Sequence, residues 1–384
     1  MNRPRILVTF GTRPEAIKMF PVIEELRKLD CFDLRVAVTA QHRELLDQVL
    51  ALAGIVPDID LDLMEEAQSL DRLAARIISE FSTVLDQIRP DRVLVHGDTL
   101  TTAMATLACY FRQIPVGHVE AGLRSGNIYS PWPEEANRKI TGVIADLHFA
   151  PTVRAAEALR SESVDPARIH VTGNTAIDAL LRCRAIMAQQ PEGASPMDGL
   201  RKRFADKRII AVTAHRRENF GHAMHQIAAA LRILAARGDV AIIYPVHPNP
   251  HVQQLMREAL SGVSNVALLD PLDYASFVRM MELSHLVLTD SGGIQEEAPS
   301  LGKPVLIMRR ETERTEAVEA GTARLVGTDT DTIVREATRL LDDESAYAAM
   351  ARATNPFGDG QAAQRIARIL AEYHRACCSP TTHS

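Results

Sequence analysis

The sequence predicts an α/β protein built on two parallel sheets, each covered by helices on both faces. Three observations lead there. Short β-branched and aliphatic runs alternate along the chain with amphipathic stretches of helical period. The runs are almost wholly apolar rather than alternating, which marks strands buried on both faces. The chain, at 384 residues, is also too long for one ordinary core. Its twelve strand candidates suit two six-stranded sheets better than one.

The first set of strands is expected at 6–10, 34–39, 92–96, 116–119, 147–150 and 169–172. The second is expected at 209–213, 240–244, 266–269, 286–289, 305–307 and 323–326. The best boundary lies near Gly173 and Asn174, giving a first domain over 1–174 and a second over 175–360. The segment 189–199, QQPEGASPMDG, reads as a surface loop early in the second domain. An irregular turn at 355–360 precedes a last helix at 361–377, expected to pack back on the first domain. Ligands of open α/β sheets bind beyond the carboxyl ends of the strands. Two such sheets facing each other would make one interdomain cleft.

Composition narrows the function classes. Apolar residues make up 46% of the chain and aromatics only 4%, so aliphatic packing dominates. The formal charge of −6, with no long basic run, speaks against a nucleic-acid partner. The five cysteines are scattered, with no metal-type CxxC pair, which suits a reducing compartment. The apolar run near the N-terminus is too short for a signal peptide, and no stretch is long enough to span a membrane. A cytoplasmic protein is the expectation.

Most polar signals sit just after strands. Gly11-Thr12-Arg13-Pro14-Glu15 allows a tight turn, and Arg13 and Lys18 can point at an anion, although two solvated cations on an ordinary turn would look the same. The fingerprint GxGxxG is absent, which argues against a nicotinamide cofactor here. Asp98 follows a strongly apolar strand and would equally serve as a helix cap. Glu120 ends a buried strand, a costly place for an unpaired carboxylate. Glu134 opens a helix beside the only Trp, where the helix dipole alone would favour an acid. Three carboxylates at neighbouring strand ends are harder to explain singly. In the second half, His215 lies next to Arg216 and Arg217 after a strand. Ser291-Gly292-Gly293 presents free backbone N–H groups to phosphate, and Glu297 one turn on can accept from ribose hydroxyls.

With these stretches in view, the sequence resembles the non-hydrolysing, bacterial-type UDP-N-acetylglucosamine 2-epimerase family. The resemblance is carried by FGTRPEAIKM, VTAQHRELLDQVL, VLVHGDT, PVGHVEAGLRSG, YSPWPEEANR, TGNTAIDAL, TAHRREN, YPVHPNP, TDSGGIQEEAPSLGKPVL and NPFGDG, in family order from first strand to last helix. It implies two Rossmann-like domains facing a central cleft, the glycosyltransferase-B-like fold. It also implies a homodimer that supplies a precursor of bacterial surface polysaccharide. Asp98, Glu120, Glu134 and His215 match the family's catalytic positions. Arg13, Lys18, Phe277, Ser291, Gly292, Gly293, Glu297 and Arg314 match its UDP-contacting positions. Bacterial members are often activated by a second molecule of UDP-N-acetylglucosamine, and Gln41, His42, Arg217 and His247 match parts of that second site. Glu44 and Ala67 depart from it, standing where some members carry Gln and Arg.

The implied reaction is reversible epimerisation at C2, from UDP-N-acetylglucosamine to UDP-N-acetylmannosamine. The C2 proton is not acidic, because no carbonyl is attached directly to that carbon. Oxidation to a ketone would need NAD. The remaining route eliminates UDP from C1 with loss of the C2 proton, giving 2-acetamidoglucal, and then re-adds UDP with the proton on the other face. Its transition state has oxocarbenium character. Carboxylates suit the proton transfers, and cations with free N–H groups suit the leaving diphosphate. No cofactor and no metal is expected. The nearest rival is a 2-epimerase of UDP-2,3-diacetamido-glucuronate, against which Thr12, Glu15 and Ala16 speak. A UDP-sugar glycosyltransferase of the same fold is another, and would need an acceptor. A sugar-nucleotide sensor would have no need of three acids.

Overall fold

The computed structural model describes residues 3–39, 43–65, 68–189, 191, 195–214, 216, 219 and 221–378. The chain divides into two compact units, one running up to Ala179 and resuming at Phe357, the other Leu180–Pro356.

The first unit holds a seven-stranded parallel sheet. Its strands are β1 (Arg5–Phe10), β2 (Asp33–Val38), β3 (Ile59–Asp60), β4 (Arg92–His96), β5 (Val116–Val119), β6 (Leu147–Ala150) and β7 (Ile169–Val171), in the order 3-2-1-4-5-6-7. The sequence leads one to expect six. The extra strand, β3, is two residues long and pairs only with Ala37 and Val38 of β2. So short an edge carries no readable pattern. The second unit holds a six-stranded parallel sheet of β8 (Arg208–Thr213), β9 (Val240–Pro245), β10 (Val266–Leu269), β11 (Leu286–Thr289), β12 (Val305–Ile307) and β13 (Ala323–Leu325), in the order 10-9-8-11-12-13. Both sheets reverse direction of growth beside their first strand, between β1 and β4 and between β8 and β11. Those are the switch points at which open α/β sheets bind ligands.

The central strands are almost wholly buried, and most of their side chains on both faces are apolar. Ile210, Val212, Ile242, Leu288 and Leu306 are all fully buried in the core of the second unit. Each such aliphatic side chain contributes about 1.5–3 kcal/mol by leaving water. Rigid strands of this kind fix the positions of the turns that follow them.

Three local features differ from the sequence reading. The 189–199 segment is not all loop: helix Pro196–Arg203 begins within it, with Ser195 Oγ accepting from Met197 N at 3.2 Å and Pro196 in the first turn. The turn-rich composition of the segment is that of a helix start. The unit boundary falls inside helix Thr175–Met187 rather than at 174/175. Asn174 N donates to Phe357 O at 2.7 Å, and Asp178 accepts from Ala362 N and Ala363 N at the start of helix Ala362–Cys378. These bonds bind the opening of helix Thr175–Met187 to the returning chain. Gly173 and Gly358 cross there at φ +91° and +130°, and a Cβ built on Gly358 would stand 3.3 Å from the Gly173 Cα.

Helix Ala362–Cys378 packs against helix Arg13–Lys28. Beside it Arg92, 1% exposed, makes a two-pronged ion pair with Asp146 at 2.5 and 2.8 Å and lies 4.9 Å from the Tyr373 ring centre. Among the described residues no helix is long and apolar enough to cross a membrane.

Candidate active site

In the first unit the carboxyl ends of β1, β4 and β5 lie side by side in the sheet. After β1 comes the turn Gly11-Thr12 and then helix Arg13–Lys28, with Arg13 in its first turn and Lys18 in its second, both half-buried. After β4 comes Gly97, at φ +67°, then Asp98 and the N-cap Thr99 of helix Leu100–Tyr110. Glu120 follows β5 at φ +62°, an uncommon backbone for a non-glycine residue. Its carboxylate faces the other two turns. Lys18 Nζ donates to Glu120 Oε2, and Glu120 Oε1 lies 3.7 Å from where a Cβ on Gly97 would stand. The pairing gives Glu120, half-buried with its side chain 9% exposed, the counter-charge its position demands.

Helix Glu134–Ile144 is tied to the same place. Asn137 Nδ2 donates to Asp98 O at 2.9 Å, and Arg138 Nη2 donates to Asp98 Oδ2 at 2.5 Å. Glu134 is its first residue, and its Oε2 is buried with no hydrogen-bond partner among the described residues. Glu135, fully buried, accepts from Ser125 N, Gly126 N and Arg138 Nη1, which anchors the loop ahead of the helix. The structure thus brings Asp98, Glu120 and the Glu134 helix start to one end of one sheet.

Two buried imidazoles support these turns. His96 Nε2 stands 3.9 Å from Glu120 Oε2. Burial pushes its pKa down to about 4, against the pull of Glu120. His118 Nε2 lies 2.7 Å from Gly97 O. A carbonyl only accepts, so Nε2 carries the proton. Burial brings this ring down to about 3. Both are neutral near pH 7, and the cations at this end are Lys18, Arg13 and Arg138.

In the second unit the ends of β8 and β11 carry the corresponding cluster. Asp290, fully buried after β11, accepts from Arg216 N at 2.9 Å and from Asn219 Nδ2 at 3.0 Å, which fixes the turn after β8. Ser291 N-caps helix Gly292–Glu297, whose first residues are Gly292 and Gly293. Arg314 lies against this turn: a Cβ on Gly292 would meet its Cζ at 3.3 Å. A side chain there would crowd the guanidinium. Arg314 Nε donates to the buried Glu296 Oε1 at 2.8 Å. Glu297 is buried at the end of the same helix, 8% exposed. Phe277 is half-buried on helix Tyr274–Leu283, which packs on the 3-10 turn Ala298–Leu301 that continues from Glu297.

His215, Arg217, Gln41, His42 and Ala67 lie outside the described residues, as does the side chain of Glu44. His247 follows β9 and accepts from Asn249 N through Nδ1 at 3.2 Å. Among the described residues no group of three His, Cys, Asp or Glu is arranged to hold a metal ion.

The sequence does not single out Arg138, Glu135, Asp290 or Glu296. Arg138 and Glu135 were visible in the Glu-Glu-Ala-Asn-Arg run, where spacings of three and four put acid and base on one helix face. Nothing local marked Glu296 as the partner of Arg314.

Two parallel-sheet α/β units, each with its polar residues gathered at the carboxyl ends beside its switch point, define an α/β enzyme consistent with glycosyltransferase-B-like architecture. Comparison with known proteins gives the family. The family model for UDP-N-acetylglucosamine 2-epimerase matches residues 24–371. The chain is 53% identical over 375 residues to the UDP-N-acetylglucosamine 2-epimerase of Escherichia coli strain K12, spanning 95% of this chain and 98% of that one. The UDP-GlcNAc 2-epimerase of Neisseria meningitidis, solved bound to UDP-GlcNAc, matches at TM-score 0.86 and 46% identity over 96% of this chain and 100% of that one. The Methanocaldococcus jannaschii UDP-GlcNAc 2-epimerase, solved with UDP-GlcNAc and UDP, matches at TM-score 0.79 and 30% identity over 96% and 99%. The chain belongs to the UDP-N-acetylglucosamine 2-epimerase family.

Proposed function

We propose that the chain interconverts UDP-N-acetylglucosamine and UDP-N-acetylmannosamine by eliminating UDP and re-adding it through 2-acetamidoglucal. The observation that carries this reading is the delivery of Asp98, Glu120 and the Glu134 helix start to one sheet end, with Lys18 and Arg138 paired to the first two. The kinship with epimerases supports the substrate.

In the forward step a carboxylate takes the C2 proton. The C2–H electron pair forms the C1–C2 double bond, and the C1–O pair leaves with UDP. In the return step UDP oxygen attacks C1, and C2 gains a proton on the opposite face. Asp98, Glu120 and Glu134 handle the two proton transfers as a group. Arg13, Lys18 and Arg314 meet the charge that develops on the departing diphosphate, and the turn of Ser291, Gly292 and Gly293 offers it backbone N–H groups. Glu297 and Phe277 hold the nucleoside. His215 completes the catalytic set by its match to the family pattern. The same resemblance supports a homodimer, and the scattered cysteines suit the reducing cytoplasm.

Purified protein given UDP-N-acetylglucosamine alone and followed by proton NMR tests this. Signals of the UDP-mannosamine product are expected to rise without free sugar. Free N-acetylmannosamine, or no turnover, would overturn the reading.

A further inference from the structure

Glu15 is nearly fully buried at 2% exposure, two residues after Arg13, and no part of the reaction above uses it. Its carboxylate accepts hydrogen bonds from two different turns, one oxygen for each. Oε2 accepts from Gly11 N at 3.1 Å, Thr12 N at 2.8 Å and Thr12 Oγ1 at 2.8 Å, all in the turn after β1. Oε1 accepts from Thr99 Oγ1 at 2.7 Å in the turn after β4, while Thr102 Oγ1, 3.2 Å from Oε1, donates its one proton to His96 O at 2.5 Å. The Oε2 bonds are those of an ordinary acid at the third position of a helix, reaching back to cap its start. The Oε1 bond is not local. It reaches 84 residues along the chain, to the hydroxyl that immediately follows Asp98.

We propose that Glu15 is a positioning residue that staples the Arg13-bearing turn after β1 to the Asp98-bearing turn after β4. One turn supplies a cation for the diphosphate and the other a carboxylate for the sugar, so the staple fixes the spacing between leaving-group contact and proton transfer. Misplacement of either by about 1 Å can cost on the order of a hundredfold in rate. Burial pushes the Glu15 carboxyl above its ordinary value, and the bonds from Thr99, Thr12 and Gly11 pull the other way, so the anion depends on its donors. A glutamine of the same shape would turn an amide NH2 toward donors on one side and release that turn.

The proposal rests on the epimerase reading, and its test separates the two. Wild type, Glu15→Gln, Thr12→Val, Thr99→Val and Thr99→Ser are compared for kcat by proton NMR and for UDP affinity by calorimetry, with circular dichroism as the check on folding. Glu15→Gln is expected to lose about tenfold or more in both kcat and UDP affinity, the scale of a lost hydrogen bond to a charged group. Each threonine change cuts one arm. Thr12→Val is expected to weaken UDP binding and, because Arg13 meets the charge on the departing diphosphate, to lower kcat as well. Thr99→Val is expected to lower kcat with UDP binding little changed, and Thr99→Ser to recover it. A merely structural carboxylate would lower the melting temperature and leave both parameters at wild-type values in the folded protein. That result, or threonine variants that leave both parameters at wild-type values, overturns the staple. Should Glu15→Gln not fold, the threonine variants decide alone. Wild-type protein that makes no mannosamine product sinks the epimerase reading instead, and the staple is then judged on the UDP arm.

Discussion

Arg138 reaches from the second turn of its helix to Asp98 at the end of β4, Nη2 to Oδ2 2.5 Å, while its Nη1 donates to Glu135 Oε2 at 3.0 Å. One guanidinium therefore orients a carboxylate of the proposed reaction and binds the loop ahead of Glu134. Arg138→Gln is expected to lower kcat by about ten- to a hundredfold, the scale of one charged hydrogen bond. Steady-state kinetics on the folded variant check it. A kcat within a factor of two of wild type would show that Asp98 does not need this partner.

The second unit makes a prediction about affinity. Arg314 lies on Gly292 and is held by the buried Glu296. Arg314→Ala is expected to weaken UDP binding by about 1–3 kcal/mol, and Glu296→Gln by a smaller amount through the loosened guanidinium. Calorimetry with UDP reads both. Equal affinity in both variants and wild type would move the diphosphate away from this turn.

Elimination and re-addition predict deuterium at C2 of product formed in deuterated water, with C1 keeping its hydrogen. They also predict that slow variants leak intermediate. In Asp98→Asn, Glu120→Gln or Glu134→Gln, UDP and 2-acetamidoglucal are expected in equal amounts wherever re-addition is slowed more than elimination. Product free of deuterium after full equilibration, with no glucal from any of the three, would rule the route out.

The buried imidazoles predict acid lability. His96 and His148 are held down to about 4 and His118 to about 3, in each case first by burial, while the unfolded chain titrates near 6.5. Below about pH 6.5 the unfolded state therefore binds protons that the native state refuses. Stability present above that pH falls as the pH drops toward 4, by up to about 1.4 kcal/mol per pH unit for each group. Denaturant unfolding at pH 8, 6 and 5 measures the slope. His148→Leu is expected to flatten it, and an unchanged slope would place the loss in other groups.

The sequence by itself determined the strands and the turns that end them. β4, β5, β6, β10, β11 and β12 begin and end where the sequence places them, because a strand buried on both faces is mostly apolar and the polar, turn-forming residues after it mark its exit to water. That rule alone placed Asp98, Glu120 and Ser291 at carboxyl ends. It was blind to β3, whose two residues pair by position rather than pattern. It also read the start of helix Pro196–Arg203 as loop, since Ser and Pro serve both. Only the tertiary structure decided which charge meets which. Lys18 and Glu120 are 102 residues apart, Asp98 and Arg138 40, and Glu15 and Thr99 84. Local spacing cannot reveal such pairs, because the strand order 3-2-1-4-5 and not the chain order sets which turns are neighbours. In the Glu-Glu pairs at 134–135 and 296–297 the sequence offers two alike carboxylates. Packing assigns Glu135 and Glu296 to bind arginines, for a buried carboxylate is stable only where donors already wait for it.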